Sequence, residues 1–303
     1  MKGAGVLTTT HGTHRGAFAA IDWALFLAVS AIWGSSFLFI AIALESFRPG
    51  LVTWLRVLFG TAVLWSLPGV RARIDRKDWA RIVALSILWV ALPFTLFPLA
   101  QRSVNSAIAG MLNGAAPIFT AVTGSLMLRQ APGPRQLVGI PLGFLGAATI
   151  ALSAASAGPS QLHGVIMIVA ATLCYGTALN IATPLQQRYG SLSVTARMMP
   201  IAAVLTMPFG LASLPGSRLA WPAIAAIVVL GFFGTGVAYV LMGRLVGRVG
   251  STRASTINYL VPVVALGLGV VFRNDHVRPA AVVGVVLAIL GAYVASRRER
   301  RGV

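Results

Sequence analysis

Acid is what this sequence lacks most. Six Asp and Glu residues stand against 24 Lys and Arg in 303 positions, and all four charged types together make up only 10%. An ordinary soluble domain carries about a quarter. That is too little charge to coat the exterior of one or two soluble domains, so lipid must solvate much of the surface. The acids also avoid the middles of apolar runs: Asp22, Glu45 and Asp275 all fall at their ends. A proton relay through buried carboxylates is left without support. Cysteine is nearly absent as well. Cys174 stands alone within an apolar run, which excludes a disulfide framework and a thiolate metal site. No His/Glu cluster, Walker loop or dinucleotide glycine loop occurs, so neither a metal nor a cofactor is expected, and ATP drive would have to come from another chain. Ser35 and Ser36 follow a glycine, but no histidine lies at comparable depth to activate a nucleophile, because His163 and His276 are both in loops. The chain does not read as an enzyme.

What the sequence has is apolar length, with 57% hydrophobic residues. A spanning helix needs about 20 mostly apolar residues, set by a hydrocarbon layer of about 30 Å and a rise of about 1.5 Å per residue. Ten such segments are expected, at 22–44, 51–68, 79–99, 104–128, 135–153, 164–184, 193–215, 221–243, 251–272 and 278–296. The connections are short and carry Pro, Gly and Arg, as in Arg48-Pro49-Gly50 and Ala131-Pro132-Gly133-Pro134. Residues 1–20 read as a polar tail rather than a cleavable signal, which would place an apolar core nearer the start. His11 and His14 belong to that tail, and 298–303 to a second, basic one.

The net charge of +18 does not point to nucleic acid, because the cations punctuate the chain between apolar runs instead of clustering on one face. They act as topology signals. With the amino terminus inside, seventeen Lys and Arg fall on the cytoplasmic side, among them Lys2, Arg15, Arg71, Arg129, Arg253 and Arg297, against five on the other. Both termini are then cytoplasmic and the chain is an inner-membrane protein.

Slid against itself by 145 residues, the sequence places Ser106 on Ser251, Asn113 on Asn258 and Pro117 on Pro262. Gly124 then falls on Gly269, Pro134 on Pro279, Gly139 on Gly284 and Gly146 on Gly291. Upstream the offset drifts, so that Trp33-Gly34 meets Tyr175-Gly176 and Arg56 meets Arg197. Two units follow, 21–155 and 160–297, each of five helices. Five is odd, so the second enters the membrane from the opposite side, which makes an inverted-topology repeat.

Several segments carry a family likeness. They are Ala31-Ile32-Trp33-Gly34-Ser35-Ser36-Phe37, Leu55-Arg56-Val57-Leu58-Phe59-Gly60, and Ala115-Ala116-Pro117-Ile118-Phe119 through Pro134-Arg135-Gln136-Leu137-Val138-Gly139. Thr252-Arg253-Ala254-Ser255 through Pro262 to Pro279 repeats the last of them. In order and spacing these resemble the EamA-type transporters of the drug/metabolite transporter superfamily. The resemblance implies a ten-helix inverted repeat that moves metabolites, often outward. One departure stands out: where relatives carry a Gly-Glu pair after the fourth and ninth spans, this chain has Arg129-Gln130 and Asn274-Asp275.

Polar groups at membrane depth are the candidates for binding a solute. Arg56 and Arg197 lie near opposite mouths, where each either holds a substrate carboxylate or closes a gate, or snorkels to headgroups; Arg197 is the gating candidate. Asn113 and Asn258 each offer an amide suited to a zwitterionic or polyhydroxylated solute, or to an interhelical bond. Trp33 and Tyr175 sit mid-span, away from the interfacial belts, and either stack on an apolar solute or pack against neighbours. Tyr239, Tyr259, Asn180, Trp54 and Gln101 are further pore-lining candidates. Gly139-x-x-x-Gly143 is equally a packing face within the chain or a homodimer contact. The leading expectation is a secondary carrier exporting a small metabolite by alternating access. An intramembrane enzyme or lipid-handling protein is the alternative, and it would need a convergent acid, base or metal that the sequence does not offer.

Overall fold

The computed structural model describes residues 18–68, 70, 73–128, 133–155, 159–249 and 254–296. Residues 1–17 and 298–303, with Arg71, Arg129, Gln130, Ser251, Arg253 and Arg297, for which expectations were given above, lie outside them. All the regular secondary structure among the described residues is helical, with no strand. A chain solvated by lipid must satisfy its backbone within each segment, and helices do so. In chain order the helices are α1 (Ala20–Leu44), α2 (Pro49–Trp65), α3 (Arg76–Ala100), α4 (Ser106–Asn113), α5 (Ala116–Leu128) and α6 (Pro134–Ala155). They continue with α7 (Pro159–Tyr189), α8 (Ser191–Ala212), α9 (Trp221–Val249), α10 (Ile257–Arg273) and α11 (Pro279–Ser296). Seven of the described helical stretches, α4 and α5 counting as one, are long and apolar enough to cross a membrane, and three shorter apolar helices accompany them. Proline opens α2, α6, α7 and α11, where its missing N–H leaves no helical bond unmade.

The helices depart from regular geometry in two places. The stretch 104–128, expected to be continuous, breaks between α4 and α5 at Gly114 and Ala115. Pro117 has no N–H to give the carbonyl of Asn113 and its ring crowds that carbonyl, so the helix ends on Asn113. α3 and α9 each widen into a π-helical stretch, Ser86–Ala91 and Val229–Val237, at positions that correspond in the repeat.

Glycine decides how the helices pack. A Cβ on Gly139 would lie 2.6 Å from the carbonyl oxygen of Gly291, and one on Gly284 would lie 2.8 Å from the carbonyl oxygen of Gly146. Gly139 and Gly146 on α6 thus meet Gly291 and Gly284 on α11, each facing the repeat mate of the other. The same exchange occurs elsewhere. Gly34 meets Val264, while its mate Gly176 meets Phe119, which is the mate of Val264. The stripe at Gly139 and Gly143, open to two readings from sequence, is covered within the chain by α11 and Ile118.

Each of the five described acids also joins the first half to the second. Asp22 takes Arg248 at 2.5 Å, Glu45 takes Arg273, and Asp75 and Asp78 both take Arg188. Asp275 reaches α4, accepting from the Ser106 hydroxyl at 2.6 Å and the Ala107 N–H at 2.9 Å. Asn105 caps the next turn position by accepting from the Ile108 N–H at 2.9 Å. Asn274, in the left-handed region at φ 52°, ends α10 and swings Asp275 back onto α4. Asp275 therefore serves as a helix cap supplied from the other half. Asp275→Ala is expected to cost about 1–2 kcal/mol through the lost cap and the lost negative charge at a helix N-terminus. Thermal unfolding in detergent checks this, and an unchanged midpoint would remove the capping role.

Candidate substrate site

Arg56 is the starting point. It sits on α2 and is only 7% exposed, so its side chain is held among helices and does not snorkel to the surface. Gly60, one turn on, lets α9 come close: a Cβ there would lie 2.5 Å from Thr235 Cγ2. On the facing π-helical stretch, Gly231 does the same for Phe59 and Gly236 for Val63. This glycine-lined seam brings the Thr235 hydroxyl within 3.1 Å of Arg56 Nε, which donates to it. Thr235 in turn donates to the Leu230 carbonyl five residues back, at 3.2 Å. The Phe94 ring lies against the guanidinium with its centroid 3.9 Å from Cζ. Among the described residues no carboxylate pairs with Arg56, and its two terminal nitrogens make no hydrogen bond. A charge within the membrane, held by one hydroxyl and one ring, is poorly compensated.

The surroundings are aromatic. Tyr175 on α7 and Tyr239 on α9 lie in the neighbourhood of the guanidinium. Neither phenolic hydroxyl has a hydrogen-bond partner among the described residues. Tyr239 packs edge to face with Trp33 from α1, ring centroids 6.0 Å apart, and with Trp89 from α3 at 6.2 Å. Tyr175 stacks on Phe97 at 6.0 Å, and Phe97 meets Phe37 at 5.4 Å. Five helices, α1, α2, α3, α7 and α9, thus converge on one cation.

Of the sequence-derived candidates, the fold brings Trp33, Arg56, Tyr175 and Tyr239 into this cluster. Asn113 stands at the break after α4, and its Oδ1 is buried without a partner. Asn258, which the sequence register sets against it, is half-buried in the first turn of α10. Arg197 on α8 lies with its Cζ 6.0 Å from the Trp65 ring, and Trp65 donates its indole N–H to the Ala196 carbonyl at 2.6 Å. The further candidates divide. Asn180 pins α7 to α5 through Thr120 and Thr123, and Tyr259 donates to the Ala292 carbonyl at 3.0 Å. Trp54 packs on Gly210. Gln101, one turn beyond Phe97, keeps both amide atoms buried and unpartnered.

Sequence reasoning missed Thr235, Phe94, Trp89 and Phe97. Trp89 carried a usable signal, being mid-span as Trp33 is. A crevice of about 190 Å³ between α1 and α9 contains none of these residues. Its two serine hydroxyls, Ser35 and Ser36, already donate to the Ile32 carbonyl, so it offers a polar ligand little.

Asn113 permits a test that separates binding from packing. Its Oδ1 accepts nothing, so Asn113→Ala is expected to change stability by less than about 1 kcal/mol. Solute transport should nevertheless fall. A large drop in unfolding temperature with transport per folded molecule unchanged would make Asn113 a packing residue.

An all-helical apolar chain whose packed glycines exchange between its halves, closed around an incompletely paired cation, has the build of a polytopic membrane carrier. Comparison with known proteins narrows that class. Residues 22–152 and 162–297 each match the EamA-like transporter family. The chain is 27% identical over 280 residues to a probable terminal-alkyne amino-acid exporter of Streptantibioticus cattleyicolor, covering 91% of this chain and 93% of that one. A probable amino-acid metabolite efflux pump of Escherichia coli is 23% identical over 286 residues, with 90% and 94% covered. An uncharacterized transporter of Archaeoglobus fulgidus is 24% identical over 280 residues, with 91% and 99% covered. A solved crystal structure superposes with a TM-score of 0.62 over 92% of this chain and 97% of that one, at 18% identity. The chain belongs to the EamA-like transporter family and is a multi-pass membrane transporter.

Proposed function

We propose that this transporter exports a small carboxylate-bearing metabolite, an amino acid or an analogue of one, by alternating access. The observation that carries the reading is Arg56: a guanidinium buried between α2 and α9 whose terminal nitrogens bond nothing, lying against the Phe94 ring with Tyr175 and Tyr239 in the same neighbourhood. A carboxylate fits that fork with two parallel charge-assisted bonds. The aromatic surroundings suit an apolar side chain, and the two phenolic hydroxyls can meet an ammonium group. Relatives named as amino-acid exporter and amino-acid metabolite efflux pump support the substrate class.

In this reading ten segments cross the inner membrane, with α4 and α5 together forming one of them, and both termini are cytoplasmic. The halves 21–155 and 160–297 are inverted repeats. The reciprocal glycine contacts of α6 and α11 support that, since a two-fold axis makes each residue face the mate of its partner. The ion pairs fit an alternating cycle. Asp22–Arg248 and Asp75/Asp78–Arg188 join the halves at the end bearing the amino-terminal side of α1, and Glu45–Arg273 joins them at the other. Arg197 beside Trp65 takes the gating role near the inner mouth.

Counterflow in proteoliposomes tests the substrate class. Vesicles loaded with an apolar amino acid are expected to exchange it, while the corresponding amine, identical except for the missing carboxylate, is not carried. Equal transport of acid and amine would overturn the role given to Arg56.

A further inference from the structure

The short connection into α3 holds a basic patch that the carrier function does not use. Residues 73–81 contain Arg73, Arg76, Lys77 and Arg81 together with Asp75 and Asp78, so by sequence the two acids would neutralise half of the cations. The fold assigns those acids elsewhere. Arg188, from the carboxyl end of α7, pairs with both Asp75 and Asp78, the latter at 3.2 Å. Arg81 adds a bond to Asp78 at 3.3 Å, and the Tyr189 hydroxyl donates to Asp78 at 2.8 Å. The group Asp75, Asp78, Arg81 and Arg188 is neutral in itself. Arg73, Arg76 and Lys77 remain exposed and make no ion pair or hydrogen bond among the described residues.

Their position says what they can meet. Residues 76–78 form a single 3-10 turn at the head of an apolar stretch that runs to Ala100, so the three cations stand where a membrane helix enters the headgroup layer. Trp79 follows directly with 39% of its surface exposed, and an indole prefers that interfacial depth. Phe18, Trp23 and Phe26 cluster edge to face at the start of α1, which opens from the same side in the proposed topology. A topology signal needs only cations in a loop. Three unneutralised cations beside an interfacial indole also complement an anion held at headgroup height.

We propose that Arg73, Arg76 and Lys77, with Trp79, form a binding site for the phosphate of an anionic lipid headgroup such as phosphatidylglycerol. The ion pairs of Arg188 keep this site charged by removing Asp75 and Asp78 from it. The second half of the chain therefore sets the lipid affinity of a loop in the first.

The test is native mass spectrometry of the full chain from detergent, offered equal amounts of phosphatidylglycerol and phosphatidylcholine. Phosphatidylglycerol adducts are expected to dominate. Arg76→Gln with Lys77→Gln should reduce that preference by about fivefold per charge, the worth of a basic residue near an anionic surface. The charge-matched pair Arg102→Gln with Arg218→Gln, elsewhere on the chain, should leave the preference intact. Equal retention of the two lipids would overturn the site, and so would an equal loss in both double variants. Displacement of the lipid by millimolar inorganic phosphate would mark a site for soluble anions and would also overturn it.

Discussion

Replacing Arg56 with glutamine is expected to cut transport by a hundredfold or more while leaving the folded protein as stable as before. A hydrogen bond to a charged group contributes about 1.5–3 kcal/mol, and a carboxylate makes two with a guanidinium fork, so losing both corresponds to roughly two to four powers of ten. Stability should not follow. Arg56 makes one bond to Thr235 and one ring contact, and its terminal nitrogens bond nothing among the described residues. Removing a poorly compensated buried charge is often neutral or stabilising. Arg56→Lys keeps the charge but not the planar fork, so intermediate transport is expected, with a weaker apparent affinity for the carboxylate. Initial rates in proteoliposomes and unfolding midpoints in detergent are the two measurements. A parallel collapse of both would make Arg56 a structural residue between α2 and α9. Unchanged transport would remove it from the substrate path.

The second large effect concerns the seam between α6 and α11. Gly291→Val should prevent correct assembly of the two halves, at a cost of about 3 kcal/mol or more. A Cβ on Gly291 would collide with the backbone nitrogen of Gly143, and it would lie 2.6 Å from the Gly143 Cα and 2.7 Å from the Gly139 carbonyl oxygen. These are backbone atoms of a packed helix and cannot rotate away, as the end of a long side chain would. Gly267 on α10 is the control, since a Cβ there meets nothing within 4 Å. Gly267→Ala should be neutral or slightly stabilising, because alanine is the better helix former. Monodispersity in size exclusion and the unfolding midpoint report the difference. A well-folded Gly291→Val protein would mean that the seam opens more easily than its geometry allows.

Helix content was legible because it depends only on local chemistry. Apolar segments of spanning length, bounded by Pro, Gly and Arg, must become helices in lipid, whatever their neighbours. The glycines of the sequence register, Gly139, Gly146, Gly284 and Gly291, hold positions where a Cβ would collide with the backbone of the facing helix. The break at Asn113 was within reach of the same reasoning, since Pro117 cannot bond back to it. The asparagines show where the repeat misleads: Asn113 and Asn258 are matched in sequence, yet only Asn113 holds a buried orphan oxygen.

From the sequence alone came the membrane class, the helical content and the scarcity of acid. Those properties follow from composition and from spacing along one chain. The tertiary structure decided which side chains meet. It placed Thr235 and Phe94 on Arg56 and Trp89 on Tyr239, and it drew Asp75 and Asp78 away from their own loop to Arg188. The reason is physical. Periodicity sets the face a residue takes on its own helix. The rotation and depth at which two helices lock depend on small-residue seams and π-helical offsets such as 86–91 and 229–237, which exist only once both partners are in place.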